Sequence, residues 1–315
     1  MWDIIKRKHP NGFSILAPME GVTNLNFRKV MRKAGRPDVF WTEFTNVSSF
    51  ANPKGRPNAI KRLKIGRHEQ PIVAQIWGVR PDDFTTTANY LRKIGYKAID
   101  INMGCPDKNV VKSGGGSALI RDPELAARII AATKKAGLPV SVKTRLGFSS
   151  VGEWKNWIGF LLKQDLAALT IHLRTRKEMS TPAAHYELLP EIIELRAEIA
   201  PKTLLIVNGD VKNTTAGKTL VEKYPEIDGF MIGRGVFEDP FCFKTTPKKP
   251  SREELMKLLK YHLKLYAKNS EDLAYDTMKR FFKVYVRDFP GASELRANLM
   301  ETKSPKEALK ALKKL

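Results

Sequence analysis

Eight short runs of strand-forming residues, separated by stretches with helical apolar spacing, constrain the fold of this chain more than any other feature. The runs are 13–19, 39–44, 71–78, 98–104, 139–147, 168–174, 204–210 and 229–235. Amphipathic stretches at 24–34, 82–94, 123–136 and 186–199 lie between them. Strands that alternate with helices run parallel, because each return needs a crossover. Eight such units predict a closed (β/α)8 TIM barrel. The alternative, an open doubly wound sheet, lacks the G-x-G-x-x-G expected after its first strand.

After Phe243 the texture changes. KTTPKKPSR reads as a polar, proline-containing linker, and from Glu253 the spacing is helical throughout. Ser304-Pro305 predicts the start of a last helix. The division expected is a catalytic barrel over 1–243 and a small all-helical domain over 248–315. The chain has 55 Lys and Arg against 33 Asp and Glu, a formal +22. From residue 244 onward there are 18 against 9, so the surplus is spread over both parts. A field of that size gathers polyanions, and nucleic acid explains it better than chance basicity does.

Two cysteines supply neither a disulfide framework nor a zinc site, so no metal is expected. MWDIIKRKHPNGFSILAPM carries no apolar signal segment, and no run of about 18 apolar residues occurs. A cytoplasmic monomer without membrane association is the expectation.

In such a barrel, chemistry sits at the C-terminal ends of the strands. Those ends here carry Pro18-Met19-Glu20, Glu43, Gln75, Asn102 with Cys105, Lys143 with Arg145, His172 with Arg174, Asn208-Gly209-Asp210 and Gly233-Arg234. The glycines of the last two strands permit close backbone approach, at the place where this fold binds phosphate. FEDPF after Gly235 is expected to open the short helix there. Lys143 and Arg145 alternate on the fifth strand and are predicted to face the same way, and an inward lysine is costly unless it meets an anion. His172 reads equally as a ligand donor or as a satisfied core histidine. Cys105, in a Gly/Pro turn at a strand end, has little packing use and is a competent general acid. KSGGGS at 112–117 reads as a mobile loop able to close over substrate. His9, His68, His185 and His262 read as ordinary, Cys242 as core, and FFKVYVRDF as a helix-packing face.

APMEGVT, QIWG, INMGCP, GSALIRDPEL, SVKTRLG, HLRTRKEM, VNGDV and MIGRG, in that order, resemble the tRNA-dihydrouridine synthases. The resemblance runs from about residue 13 to the C-terminus. It implies an FMN-binding barrel followed by a helical tRNA-binding domain, with NADPH or NADH as reductant. Pro18, Met19 and Glu20 would lie against the flavin ring. Gln75, Lys143 and His172 would hydrogen-bond FMN, and Asn208, Gly209, Asp210, Gly233 and Arg234 would hold its phosphate. Asn102 and Arg145 would contact the target uracil of a D-loop uridine. Hydride would pass from flavin N5 to uracil C6, and Cys105 would protonate C5. The chain departs from the family pattern at Leu173, where glycine is usual, and in STPAAHYELL, which replaces a small-residue and Trp pattern. Two rivals remain at this stage: a small-molecule flavoenzyme akin to dihydroorotate or dihydropyrimidine dehydrogenases, and a non-catalytic RNA-binding barrel.

Overall fold

The computed structural model describes residues 1–246, 248–269 and 273–313. The linker's Pro247 and the ends of the expected helical domain, Lys314 and Leu315, lie outside them. Eight parallel strands form the barrel: β1 Phe13–Leu16, β2 Val39–Trp41, β3 Ile72–Trp77, β4 Ile99–Met103, β5 Val140–Arg145, β6 Ala168–His172, β7 Leu204–Asn208 and β8 Gly229–Ile232. Each pairs with its sequence neighbour, and β8 pairs with β1 (Phe13 opposite Gly229, Leu16 opposite Ile232), so no edge is left. A two-residue bridge at Thr45–Asn46 extends the rim beside the end of β3. The strands are buried along nearly their whole length, as parallel strands covered on both faces must be.

Helix α1 (Trp2–Lys8) precedes the barrel. The outer layer is α2 (Leu25–Ala34), α3 (Pro81–Lys93), α4 (Pro123–Lys134), α5 (Trp154–Leu162), α6 (Leu189–Ile199) and α7 (Thr214–Lys223). Their starts follow local rules. Asn24 caps α2 by accepting from the Phe27 N–H at 3.1 Å, and Asp122 caps α4 through the Leu125 N–H. Pro81 and Pro123 sit in the first turn, where the missing N–H costs nothing. The expected helix at FEDPF is a single turn, α8 (Gly235–Glu238), that ends where FEDPF has scarcely begun, because the chain turns extended at Asp239.

The helical C-terminal part begins with α9 (Arg252–Lys268), whose Ser251 and Glu254 form a capping box. YDTMKRFFKVYVRDF does not form one helix; it is broken into single helical turns at 276–279 and 282–285, the second of them within FFKVYVRDF. Its aromatics do pack. Phe281 stacks on Phe27 of α2 with ring centroids 4.9 Å apart, and buried His262 of α9 donates to or accepts from Tyr285 Oη at 2.9 Å. α10 (Ala292–Glu301) and α11 (Pro305–Ala311) complete it, the latter capped by Ser304. The apolar faces of these helices join the shell between strands and outer helices in one continuous core.

A second core fills the barrel itself. Phe13, Ile15, Val39, Trp41, Val73, Ala98, Ala168, Leu204, Ile206 and Met231 pack together, and Trp2 and Ile5 of α1 close that core from below. Trp2 lies 5.8 Å from Trp41 and 6.1 Å from Phe13, ring to ring. Towards the C-terminal ends the strands turn polar, with Gln75, Asp100, Asn102, Ser141, Lys143 and His172. Among the described residues no helix is long and apolar enough to cross a membrane.

Candidate active site

Two cavities open at the mouth of the barrel. The first, of about 450 Å3, gathers Pro18, Met19, Lys143, His172, Asn208, Gly209, Asp210, Gly233 and Arg234. The second, of about 570 Å3, contains Glu20, Arg62, Phe44, Trp77 and Cys105. Nine expected site residues thus share one cavity, and Glu20 and Cys105 share its neighbour. Gln75 and Asn102 lie below, buried in the barrel. Arg145 lines neither cavity.

The first cavity sets Lys143, Lys212 and Arg234 against the carboxylates of Asp210 and Glu238. Gly209 has φ +115° and Asp210 φ +54°, a left-handed pair that turns the backbone sharply at the end of β7. Asp210 accepts from Arg174 Nη2 at 2.5 Å, from Arg234 Nη2 at 3.0 Å and from the Ala184 N–H at 3.0 Å. Burial would raise its pKa, but these donors outweigh it and hold the carboxyl below its ordinary range. The carboxylate therefore organises two arginines. An added phosphate would meet Arg234, whose side chain is 59% exposed, rather than Asp210 itself.

Lys143 faces this cavity and makes no hydrogen bond among the described residues. Burial, then Arg145, pushes its pKa down to about 8. Burial and the cations of Arg145, Lys143, Arg174 and Arg234 push His172 well below the ordinary imidazole value, so it is neutral. Arg174 Nη1 lies 3.2 Å from His172 Nε2. Because a guanidinium only donates, Nε2 accepts and the ring proton resides on Nδ1. Unpaired Lys143 and this ring of cations suit an anionic, acceptor-rich ligand.

Cys105 is half-buried beside Phe44 and Trp77, whose rings meet edge-on at 6.5 Å. Burial raises the thiol's pKa, the Asp107 N–H and the Arg145 and Lys143 charges only partly countering it, so sulfur keeps its proton. The KSGGGS segment does not cover this pocket. Gly115 and Gly116 are buried, and Ser117 N and Oγ both donate to the Cys105 carbonyl at 3.1 and 2.8 Å. A Cβ on Gly116 would come within 2.9 Å of that carbonyl, which is why glycine is needed there. The segment is a bed under the thiol.

Arg145 is spent on backbone: Nε donates to Gly104 O at 2.8 Å, and Nη1 to Thr175 O and Met179 O at 2.9 and 2.7 Å. It ties the Cys105 turn to the loop after β6. His185 is not ordinary: it bridges Glu178 and Glu187 at 2.8 and 2.7 Å within that loop and has a raised pKa. In the same departing stretch Tyr186 Oη donates to the Gly209 carbonyl. Sequence reasoning passed over Asp100, Phe44 and Trp77. The signal for Asp100 was present, since Ile-Asp-Ile-Asn puts Asp100 and Asn102 on one face of β4.

A closed parallel barrel with a cavity at the ends of β7 and β8 and a thiol beyond the end of β4 has the layout of a ligand-binding barrel. The family model for dihydrouridine synthases matches residues 15–315. The chain belongs to that family. It is 53% identical over 95% of its length, and 92% of the relative's, to a probable tRNA-dihydrouridine synthase of Staphylococcus aureus (strain COL). It is 52% identical over 96% of its length, and 93% of the relative's, to a probable tRNA-dihydrouridine synthase 2 of Bacillus subtilis (strain 168). Among solved structures, the 6-hydroxypseudooxynicotine amine oxidase of Pseudomonas geniculata N1 superposes with a TM-score of 0.51 at 12% identity. That match covers 73% of this chain and 46% of the other, a likeness of fold alone.

Proposed function

We propose that the protein reduces the C5–C6 double bond of a D-loop uridine in tRNA to dihydrouridine, using FMN and NADPH or NADH. The observation that carries this reading is a thiol kept protonated in an aromatic slot, adjoining a cation-lined cavity with an unpaired lysine. Family membership supports the same activity. Reduced FMN, when bound, supplies a hydride from N5 to uracil C6.

The residues do the rest. Arg234, held by Asp210, and the backbone at Gly209 and Gly233 would take the ribityl phosphate. Lys143 would meet electron-rich atoms of the ring, and His172 offers Nδ1–H beside it. Pro18 and Met19 would floor the ring, while Glu20, paired with Arg62 at 2.5 Å, faces the base side. Phe44 and Trp77, set nearly at right angles, offer one ring to a face and the other to an edge of a pyrimidine removed from its stack, as chemistry on a base requires. Cys105 delivers the proton to C5, so that hydride and proton together saturate the bond. The Nη2 of Arg145 and the amide of Asn102 would reach the uracil edge. We assign 1–243 to this chemistry and 248–315, with its basic surplus, to gripping tRNA as a monomer. The net +22 argues for RNA over a free pyrimidine and against a small-molecule dehydrogenase.

The test is dihydrouridine mapping in tRNA from cells lacking the gene, with and without its restoration, alongside the absorbance of the purified protein. A yellow protein that restores the modification is expected. A colourless protein that takes up no FMN would overturn the reading.

A further inference from the structure

Beneath the two cavities, polar side chains link β3, β4 and β5 inside the barrel. Asp100, wholly buried, accepts from Ser141 Oγ at 2.6 Å and from Gln75 Nε2 at 2.7 Å. Gln75 Oε1 accepts from Asn102 Nδ2 at 3.0 Å. Asn102 Oδ1 accepts from the N–H groups of Gly104 and Cys105 at 3.1 and 2.9 Å.

An isolated carboxamide can turn over, exchanging its donor and acceptor ends. This pair cannot, because both ends of the chain are fixed. A carboxylate only accepts, so Gln75 must present N–H to Asp100 and oxygen to Asn102. Backbone N–H groups only donate, so Asn102 must present oxygen to Cys105 and N–H to Gln75. The two constraints demand the same direction. Burial lifts Asp100 only to about 6, so it is still an acceptor at neutral pH. The consequence falls on Asn102. Its oxygen is filled by two donors and one N–H is committed to Gln75. What remains for a ligand is one N–H and no acceptor.

We propose that Asp100 is a positioning residue that, together with the backbone N–H groups of Gly104 and Cys105, fixes the direction of the Asp100–Gln75–Asn102–Cys105 chain, leaving Asn102 a donor only and making the site select a pyrimidine carbonyl over an amino group. Uracil carries a carbonyl at C4 where cytosine carries an amino group, so the chain favours the one base and rejects the other. The same bonds hold the Cys105 turn. The choice of base rests on the dihydrouridine synthase reading; the direction of the chain does not.

Direction can be tested by reversing it. Asp100→Asn alone keeps every match, because its carboxamide can turn its oxygen to Gln75 and its NH2 to Ser141, whose hydroxyl accepts and donates instead to Ile99 O. Asn102→Asp faces an acceptor against the Gln75 acceptor, or, if Gln75 turns over, an acceptor against the Asp100 acceptor. Asn102→Asp alone therefore breaks a match that Asp100→Asn alone does not. The double change D100N/N102D restores them all: the carboxamide at 100 donates to Gln75, which turns over and donates to the carboxylate at 102. That carboxylate still accepts from Gly104 and Cys105, and Ser141 still donates to position 100. Position 102 is also the register partner of Lys143, so the moved charge stays beside the same cation. The coupling between the two sites should be large and favourable.

The experiment melts the wild type, both single variants and the double variant, then measures FMN uptake and uridine reduction in tRNA. The double variant is expected to melt above Asn102→Asp and to bind FMN. It is expected to reduce uridine at least ~100-fold more slowly than wild type, because the donor at 102 is gone. A double variant that melts no higher than Asn102→Asp, or none of the three folding, overturns the direction. Recovery of wild-type uridine reduction in the double variant overturns the donor role of Asn102. A wild type that forms no dihydrouridine would instead sink the proposed activity, and the melting comparison would still judge the chain.

Discussion

Replacing Lys143 separates stability from ligand binding. The buried ammonium has a pKa of about 8, against an ordinary 10.5, with burial the main cause and Arg145 the second. The unfolded chain therefore binds more protons than the folded one between those two values. Ligand-free protein should gain stability as pH rises through that window and carry its deficit at every pH below it. A shift of this size corresponds at most to about 3 kcal/mol. The side chain keeps some access to solvent, which reduces the expectation to ~1–2 kcal/mol. Lys143→Met removes the charge and keeps most of the stem. Flavin-stripped variant should melt ~2–6 °C above wild type at pH 7, and its alkaline gain should vanish. FMN affinity should nevertheless fall ~10–100-fold, the worth of a hydrogen bond from a charged donor. Calorimetry at pH 7 and pH 10, with and without FMN, reads both effects. A stripped variant less stable than wild type at pH 7, or one binding FMN equally well, would show that Lys143 is not a cation awaiting an anion.

Cys105→Ala should keep FMN and tRNA binding while dihydrouridine formation drops ~10²–10⁴-fold. Saturated with FMN, Lys143→Met lacks the lysine that titrates near 8, so its remaining turnover should decline only above the ordinary thiol value of 9.0, because burial raises this thiol; a decline at lower pH argues for a different acid. Gly209→Ala places a Cβ 3.1 Å from both Ala184 Cβ and His172 Cδ2 at φ +115°, and should cost ~1–3 kcal/mol in denaturant unfolding as well as FMN affinity. Asp210 has a depressed pKa, so its stabilisation is present above the ordinary carboxyl value of 3.8 and is lost as pH falls below it. Asp210→Asn should flatten that acid limb in pH-dependent melting and weaken FMN binding by freeing Arg234.

The barrel was legible because its constraint is repetitive: eight apolar runs, each needing a crossover, leave few closures. The strand ends were legible because Asn208-Gly209-Asp210 and Gly233-Arg234 are costly anywhere but a site. What escaped was long-range pairing. Nothing local says that Arg145 would commit Nε and Nη1 to the carbonyls of Gly104, Thr175 and Met179, or that KSGGGS would lie beneath Cys105. FEDPF looked like a helix start, yet the turn closes at Glu238 before the motif is through. Asp100 was missed because a single acidic residue in an apolar strand reads as an exception, and its partners Gln75 and Ser141 come from strands far away in sequence.

The seat of Trp2 has a consequence for how the molecule is made. The core it joins draws on nearly every stave of the barrel, from Val39 and Trp41 to Leu204 and Met231. That seat is whole only when the last strand has closed on the first, so α1 gains its full burial from the finished ring and not from any one hairpin or crossover within it. Helix α1 behaves as a stopper: it seals the vessel only once all its staves stand.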